Sequence, residues 1–337
     1  MSRYVSLSFA SVALTAILSC ASTHAAATGH SSTHHNHAAR AINPTIYKIS
    51  DVYKGNSFYD GFKFFTRPDP TDGLVKYVSL SEARRLNLTH ADSGSFVIRG
   101  EATRKLSPGQ GRPSVRVESK KRYKTHVQVM DLVHMPQGRG TWPAYWMSGD
   151  NWPFNGEVDI IEGANDKGPN LYSLHTGPGC TQPSVNRVMK GLIKANDCNA
   201  FANGNVGCGV FGDSKRDFGP ALNEAGGGFF VTERTAHSIK MWFWSRQDTR
   251  VPADVRNGAA RVNPAAWGRP TAEFNSDMCP LGQKMGPNRI IINLTFCGGF
   301  AGHTFPGGTP ACEAFVSQNP EEFGQAYWNI KSLRVYE

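Results

Sequence analysis

The sequence predicts an all-β fold of two packed antiparallel sheets. Segments that alternate apolar and polar residues recur along most of the chain. The 35 Gly and 20 Pro are spread through 337 residues and punctuate many short elements. Convincing long amphipathic helices are absent, and the run Pro320-Glu-Glu-Phe-Gly-Gln-Ala326 allows at most a short one.

Residues 1–27 hold one positive charge, an apolar stretch and small residues ending in Ala25-Ala-Ala27, the layout of a secretory signal peptide. The apolar stretch is too short and too rich in Ser for a bilayer span, and no later stretch could span one. Residues 28–42 carry four histidines and few large apolar groups, which suits a flexible tail. From residue 43 the strands begin. Residues 114–119 alternate, and residues 125–134 alternate for longer, as a half-buried strand does. In residues 237–245, Ile239, Met241 and Phe243 share one face, and Lys240, Trp242 and Trp244 the other. Residues 289–296 and 330–336 add two more strands. No repeat or composition break divides residues 43–337, which read as one domain.

Loss of the leader removes Cys20 and leaves Cys180, Cys198, Cys208, Cys279, Cys297 and Cys312. An even count in a secreted chain suggests three disulfides, and no CxxC pair points to a metal site. The sequons at Asn87 and Asn293 fit the same compartment, although Asn293 follows three isoleucines and reads as strand-bound. The formal charge of +9 is not gathered into a long tract. Its one dense cluster, Lys120-Lys-Arg-Tyr-Lys124, reads as a solvated strand end, and no motif supports nucleic-acid binding.

Glu157, Asp159 and Glu162 stand inside six residues of an otherwise apolar strand, in a chain only 19% charged. Carboxylates resist burial, so such a cluster needs a reason. Glu157 and Asp159 share a face by parity, whereas Glu162 breaks it. A one-residue bulge at Ile160 or Ile161 would return Glu162 to that face and send Val158 and one isoleucine into the core. The acids would then line a cleft and push one another's proton affinities apart. The strand rise places the outer α-carbons about 13 Å apart, a gap that long side chains must close. A retaining glycosidase needs carboxyls about 5–5.5 Å apart and an inverting one about 6.5–9.5 Å. An exposed acidic face or a calcium ligand set are the alternatives, although calcium loops rarely place Ile-Ile between ligands.

Upstream, Trp142, Trp146 and Trp152 fall within eleven residues of a chain with 7 Trp. Indole faces beside carboxylates suit a sugar cleft. Trp142 reads as core packing, and Trp152, in a loop ending at the Asn155-Gly156 turn, as a ligand-facing residue. His175 ends a short strand. Arg112 and Arg116 are candidate donors to hydroxyls or partners in salt bridges. His126, Asp131 and His134 carry no assigned chemistry.

The run Asn155-Gly-Glu157-Val-Asp159-Ile-Ile-Glu162-Gly resembles the bulged ExDxxE motif of glycoside hydrolase family 16. The likeness extends through Thr141-Trp-Pro-Ala-Tyr-Trp146, Leu174-His-Thr-Gly177, Ile290-Ile-Ile-Asn-Leu-Thr-Phe-Cys-Gly298 and the terminal Tyr327-Trp-Asn-Ile-Lys-Ser-Leu-Arg-Val-Tyr336. It covers essentially everything after Asn43 and is nearest to fungal secreted endo-1,3(4)-β-glucanases, or laminarinases. The resemblance implies a concanavalin-like β-jelly roll with a cleft on its concave sheet and a retaining mechanism. Glu157 would be nucleophile, Glu162 acid and then base, and Asp159 the tuner between them. It also implies sugar contacts from Trp146, Trp152, His175, Arg112, Phe300 and Asn155. No cofactor is implied, with room for a structural calcium ion away from the cleft. The expected partner is a β-glucan, met by a secreted monomer without nucleic acid or membrane. A wall transglycosylase and a silent glucan-binding module are the competing readings. One departure stands out: where relatives commonly have Asp-Trp-Ala-Gly, this chain has Gly299-Phe-Ala-Gly302.

Overall fold

In this computed structural model, which describes residues 45–337, two large antiparallel sheets lie face to face. The expected leader and tail, residues 1–27 and 28–42, lie outside the described residues. The nine-stranded outer sheet runs Arg261–Val262, Tyr47–Tyr53, Tyr327–Tyr336, His126–His134, Gly228–Arg234, Ser238–Ser245, Ala272–Asn275, with Phe96–Arg99 and Thr89–Ala91 joining through Tyr327–Tyr336. The eight-stranded cleft sheet runs Leu192–Ala195, Cys208–Phe211, Leu171–His175, Glu157–Glu162, Thr141–Gly149, Asn288–Phe296, Arg116–Ser119, Phe62–Phe64. This is the expected jelly-roll sandwich.

Alternation explains how the sheets meet. Tyr145, Met147, Val158, Leu174, Ile290 and Ile292 point inward from the cleft sheet and pack with Met130, Leu132, Phe230, Ile239, Met241 and Phe243. The other face of the outer sheet is apolar as well. Trp242 and Trp244 are buried under Val251, Val255, Val262 and Trp267, with Trp267 edge-on to Trp242 at 5.3 Å. The loop bearing residues 251–267 therefore gives this sheet a second core.

Besides several helices of four to six residues, the sequence reading missed the longest one among the described residues. Gly308–Gln318 is α-helical, although Gly308 and Pro310 weaken it by propensity. It is held from outside: Cys312 is bonded to Cys297, and Val316 packs with Phe305 and Phe323. Pro320–Phe323 forms a 3-10 turn, the short element expected there. All six cysteines after the leader are paired, as Cys180–Cys279, Cys198–Cys208 and Cys297–Cys312. Among the described residues, no helix is long and apolar enough to cross a membrane.

Candidate active site

The acidic strand, Glu157–Glu162, sits inside the cleft sheet between the histidine strand, Leu171–His175, and the tryptophan strand, Thr141–Gly149. Its register breaks where parity requires. Asp159 pairs with Trp146, whereas Ile161 pairs with Tyr145, so Ile160 is the extra residue. Glu162 thereby joins Glu157 and Asp159 on the cleft face. The expectation that one isoleucine would enter the core is corrected: Ile160 and Ile161 are both buried in it.

The three acids line a cavity of about 320 Å³ with Asp69, Arg116, Trp142, Trp146, Ser148, Trp152, Asn205, Asn293 and Thr295. An adjoining cavity of about 380 Å³ shares Trp142, Glu157 and Glu162 and adds His175, Lys194 and Phe300. Together they make one long cleft with the acids at its middle.

Burial sets the electrostatics. It pushes Glu157 up to about 8, with the Asp159 carboxylate adding to the effect. It pushes Asp159 up to about 8 and, again with help from Asp159, Glu162 up to about 7. Three carboxyls this close cannot all ionise cheaply, so the cluster titrates as a unit and retains protons near neutrality. Trp142 Nε1 donates to Glu162 Oε1 at 3.2 Å, which favours that group's ionised form. His175 pairs in register with Glu157. Its Nδ1 meets Asn205 Oδ1 at 2.9 Å and its Nε2 lies 3.4 Å from Asp159 Oδ2. Because Asn205 Oδ1 can only accept, Nδ1 carries the hydrogen of that bond. Gly207, at φ 64°, lets the backbone pass the imidazole, since a Cβ there would lie 2.6 Å from the ring.

The walls are aromatic and pinned. Trp146 Nε1 donates to Asn293 Oδ1 at 2.7 Å, and the Arg116 guanidinium stands 4.9 Å from the Trp146 ring. Arg116 is itself paired with Glu118 at 2.9 Å. Trp152 is 43% exposed at the cleft edge. Phe300 lies on the turn Gly298–Gly302 and meets Trp142 edge-on at 5.7 Å.

Several sequence expectations change here. Trp142 is a cleft residue, not core; it shares parity with Trp146, while Tyr145 and Met147 take the core face. That parity was readable. Arg112 is fully buried away from the cleft, bound to Glu101 at 2.7 Å and to the Val316 and Arg104 carbonyls. Arg116 occupies the cleft instead, because its strand pairs with Asn288–Phe296 at Asn293. Asn155 does not line the cleft: its carbonyl accepts from Gly286 N–H at 3.1 Å and Asn288 Nδ2 at 3.0 Å, fastening the turn. Asn293 is 6% exposed, strand-bound as expected, and its amide is bound to Tyr77 as well as Trp146. Asn87 is exposed on the turn after a short helix. Asp69, Asn205, Asn293 and Thr295 were missed as cleft residues. Asn293 and Thr295 share parity along one strand, whereas nothing local marks Asp69 or Asn205.

The one grouping of three metal-capable side chains among the described residues is Glu157, Asp159 and His175, inside the cleft itself. Paired carboxyls on a sheet floor between tryptophan walls define a carbohydrate-cleaving enzyme of the jelly-roll type. A family model described as an XgeA-like, catalytic GH16 domain matches residues 62–336, and the chain belongs to glycoside hydrolase family 16. An endo-1,3(4)-β-glucanase of Arthroderma benhamiae is 39% identical over 312 residues, covering 89% of this chain and 67% of that protein. Several longer fungal relatives extend further, the chain spanning 46% to 47% of their length. Laminarinase 16A of Phanerochaete chrysosporium, solved with two β-glucans in donor and acceptor sites, is 44% identical with a TM-score of 0.84, covering 87% of this chain and all (100%) of that one. An elongating GH family 16 β-1,3-glucosyltransferase is 34% identical with a TM-score of 0.80, over 86% of this chain and 100% of that one.

Proposed function

We propose that this enzyme is a retaining endo-β-glucanase that cleaves internal β-1,3 bonds, and β-1,4 bonds next to a 3-linked glucose, in laminarin-type and mixed-linkage glucans. The observation that carries the reading is the Ile160 bulge, which brings three carboxyls to one face inside a cleft walled by Trp142, Trp146 and Trp152. Glu157 attacks the anomeric carbon while Glu162 protonates the leaving oxygen. Glu162, then ionised, draws a proton from water, which displaces Glu157. Asp159 stands between the two glutamates on the same strand face and raises both. The chemistry draws on side chains alone. A structural calcium ion elsewhere would show as a melting temperature lowered by chelator.

Product analysis on laminarin, mixed-linkage glucan, cellulose and galactan tests the substrate class. Rapid internal cleavage of laminarin and mixed-linkage glucan is expected. Attack on galactan alone would reject it. A second reading, transfer of the glycosyl-enzyme to another sugar, is favoured by the likeness to the elongating glucosyltransferase. It predicts products longer than the substrate at high acceptor concentration. A silent glucan-binding module would release no new reducing ends, and the complete acid trio argues against it. The chain is further proposed to be a secreted monomer, on its leader and its three disulfides. Secreted material should begin after Ala27 and elute at monomer size.

A further inference from the structure

The Ile160 bulge, formed against the tryptophan strand, restores the parity of Glu162, and on the opposite edge of the same segment two backbone groups lack a main-chain partner. The acidic strand pairs with the histidine strand only as far as Asp159 opposite Ser173. Beyond that point Glu162 N–H and Ile160 C=O have no main-chain partner across that edge. Both are taken by one side chain. Asn170, 0% exposed and immediately before the histidine strand, accepts from Glu162 N–H through Oδ1 at 3.0 Å. Its Nδ2 donates to Ile160 C=O at 2.8 Å. Its own main chain is tied on both sides: Asn170 N–H donates to buried Asp217 Oδ1 at 3.0 Å, and its C=O accepts from Gly212 N–H at 2.8 Å. A primary amide offers an acceptor and a donor in one plane, which a carboxylate or an alkyl group does not.

We propose that Asn170 is a positioning residue for the acid/base: by bonding both groups it fixes the backbone from which Glu162 projects. This rests on the reading of Glu162 given above. Without the clamp, two buried backbone groups lose their partners. The strand can recover them by slipping back toward regular pairing, which turns Glu162 toward the core. Misplacement of a catalytic carboxyl by about 1 Å can cost about 100-fold in rate.

Asn170→Ala, Asn170→Asp and Glu162→Gln are measured together on laminarin, well below each melting temperature. Asn170→Ala is expected to lower kcat about 100-fold with KM changed less than about threefold. Asn170→Asp recovers much of the loss at acid pH, where the protonated carboxyl can both accept and donate. It loses activity as pH rises, so its alkaline limb lies below that of the wild type. If Asn170→Ala does not fold, the pH profile of Asn170→Asp carries the test alone. Folded variants with wild-type kcat and pH profile, even with lowered melting temperatures, overturn the proposal. If Glu162→Gln is inactive while both Asn170 variants are unaffected, the positioning role alone fails. If Glu162→Gln keeps turnover, the acid/base reading fails and the proposal with it.

Discussion

Asp159→Asn replaces a buried carboxyl by an isosteric neutral amide and should uncouple stability from pH. Burial holds Asp159 at about 8 in the folded enzyme, from an ordinary value of 3.8. Between those values the folded chain keeps a proton that the unfolded chain releases. Stability therefore falls as pH rises through that window, by up to about 1.4 kcal/mol per pH unit for each proton retained. From pH 5 to 7 one proton is worth at most about 3 kcal/mol, or about 5 °C of melting temperature for a domain near 300 residues. The sign is opposite to that of a salt-bridged aspartate, whose stabilisation is lost on acidification. Melting curves of wild type and variant at pH 3 to 8, at one scan rate, should converge at the acid end and separate as pH rises above 3.8, with Asp159→Asn the more stable. Parallel curves at all pH values would show that Asp159 does not hold a proton in the folded state.

Glu157→Ser should abolish turnover while leaving melting temperature and glucan binding intact, as read by reducing ends and affinity electrophoresis. Glu162→Ala should be slow on glucan and rescued by azide on a substrate with an activated leaving group; absence of rescue contradicts its acid/base role. Trp142→Phe removes a donor to the Glu162 carboxylate, so the alkaline limb of kcat/KM should move to higher pH; a downward move refutes the contact. Arg112→Ala removes the closest cation from Glu101, which keeps Arg104 at 3.5 Å and the donors of Thr103, with an expected loss of about 1.5–3 kcal/mol and an unchanged KM. A raised KM would return Arg112 to the cleft. Mass spectrometry should find any glycan at Asn87 and none at Asn293.

The acids could be read because chemistry and parity act locally. A strand alternates whatever surrounds it, so Glu162 requires a bulge to share a face with Glu157 and Asp159, and the structure supplies it at Ile160. Trp142 shows the same rule neglected: its parity with Trp146 assigned it to the cleft, although indole hydrophobicity suggested the core. Arg112 and Arg116 were different. Both lie in short alternating pieces four residues apart, and nothing local separates them. Arg112–Ser114 pairs with Val75–Tyr77 outside the large sheets, whereas Arg116–Ser119 joins the cleft sheet. The helix Gly308–Gln318 was hidden for a related reason, since a disulfide and packing against Phe305 and Phe323 outweigh its weak propensity.

By itself the sequence determined the sandwich, the three acids on one face and the even set of six cysteines, because these follow from periodicity, composition and the cost of burying charge. Tertiary structure alone decided which arginine reaches the cleft and that Asn205 orients His175. It also decided that Asn170 bonds Glu162 N–H and Ile160 C=O and that Asn293 is a buried cleft-wall residue. Each of those contacts joins residues distant in the chain or facing across strands, so it depends on strand order and register. Such pairings are selected by the whole core at once, and no local pattern records them.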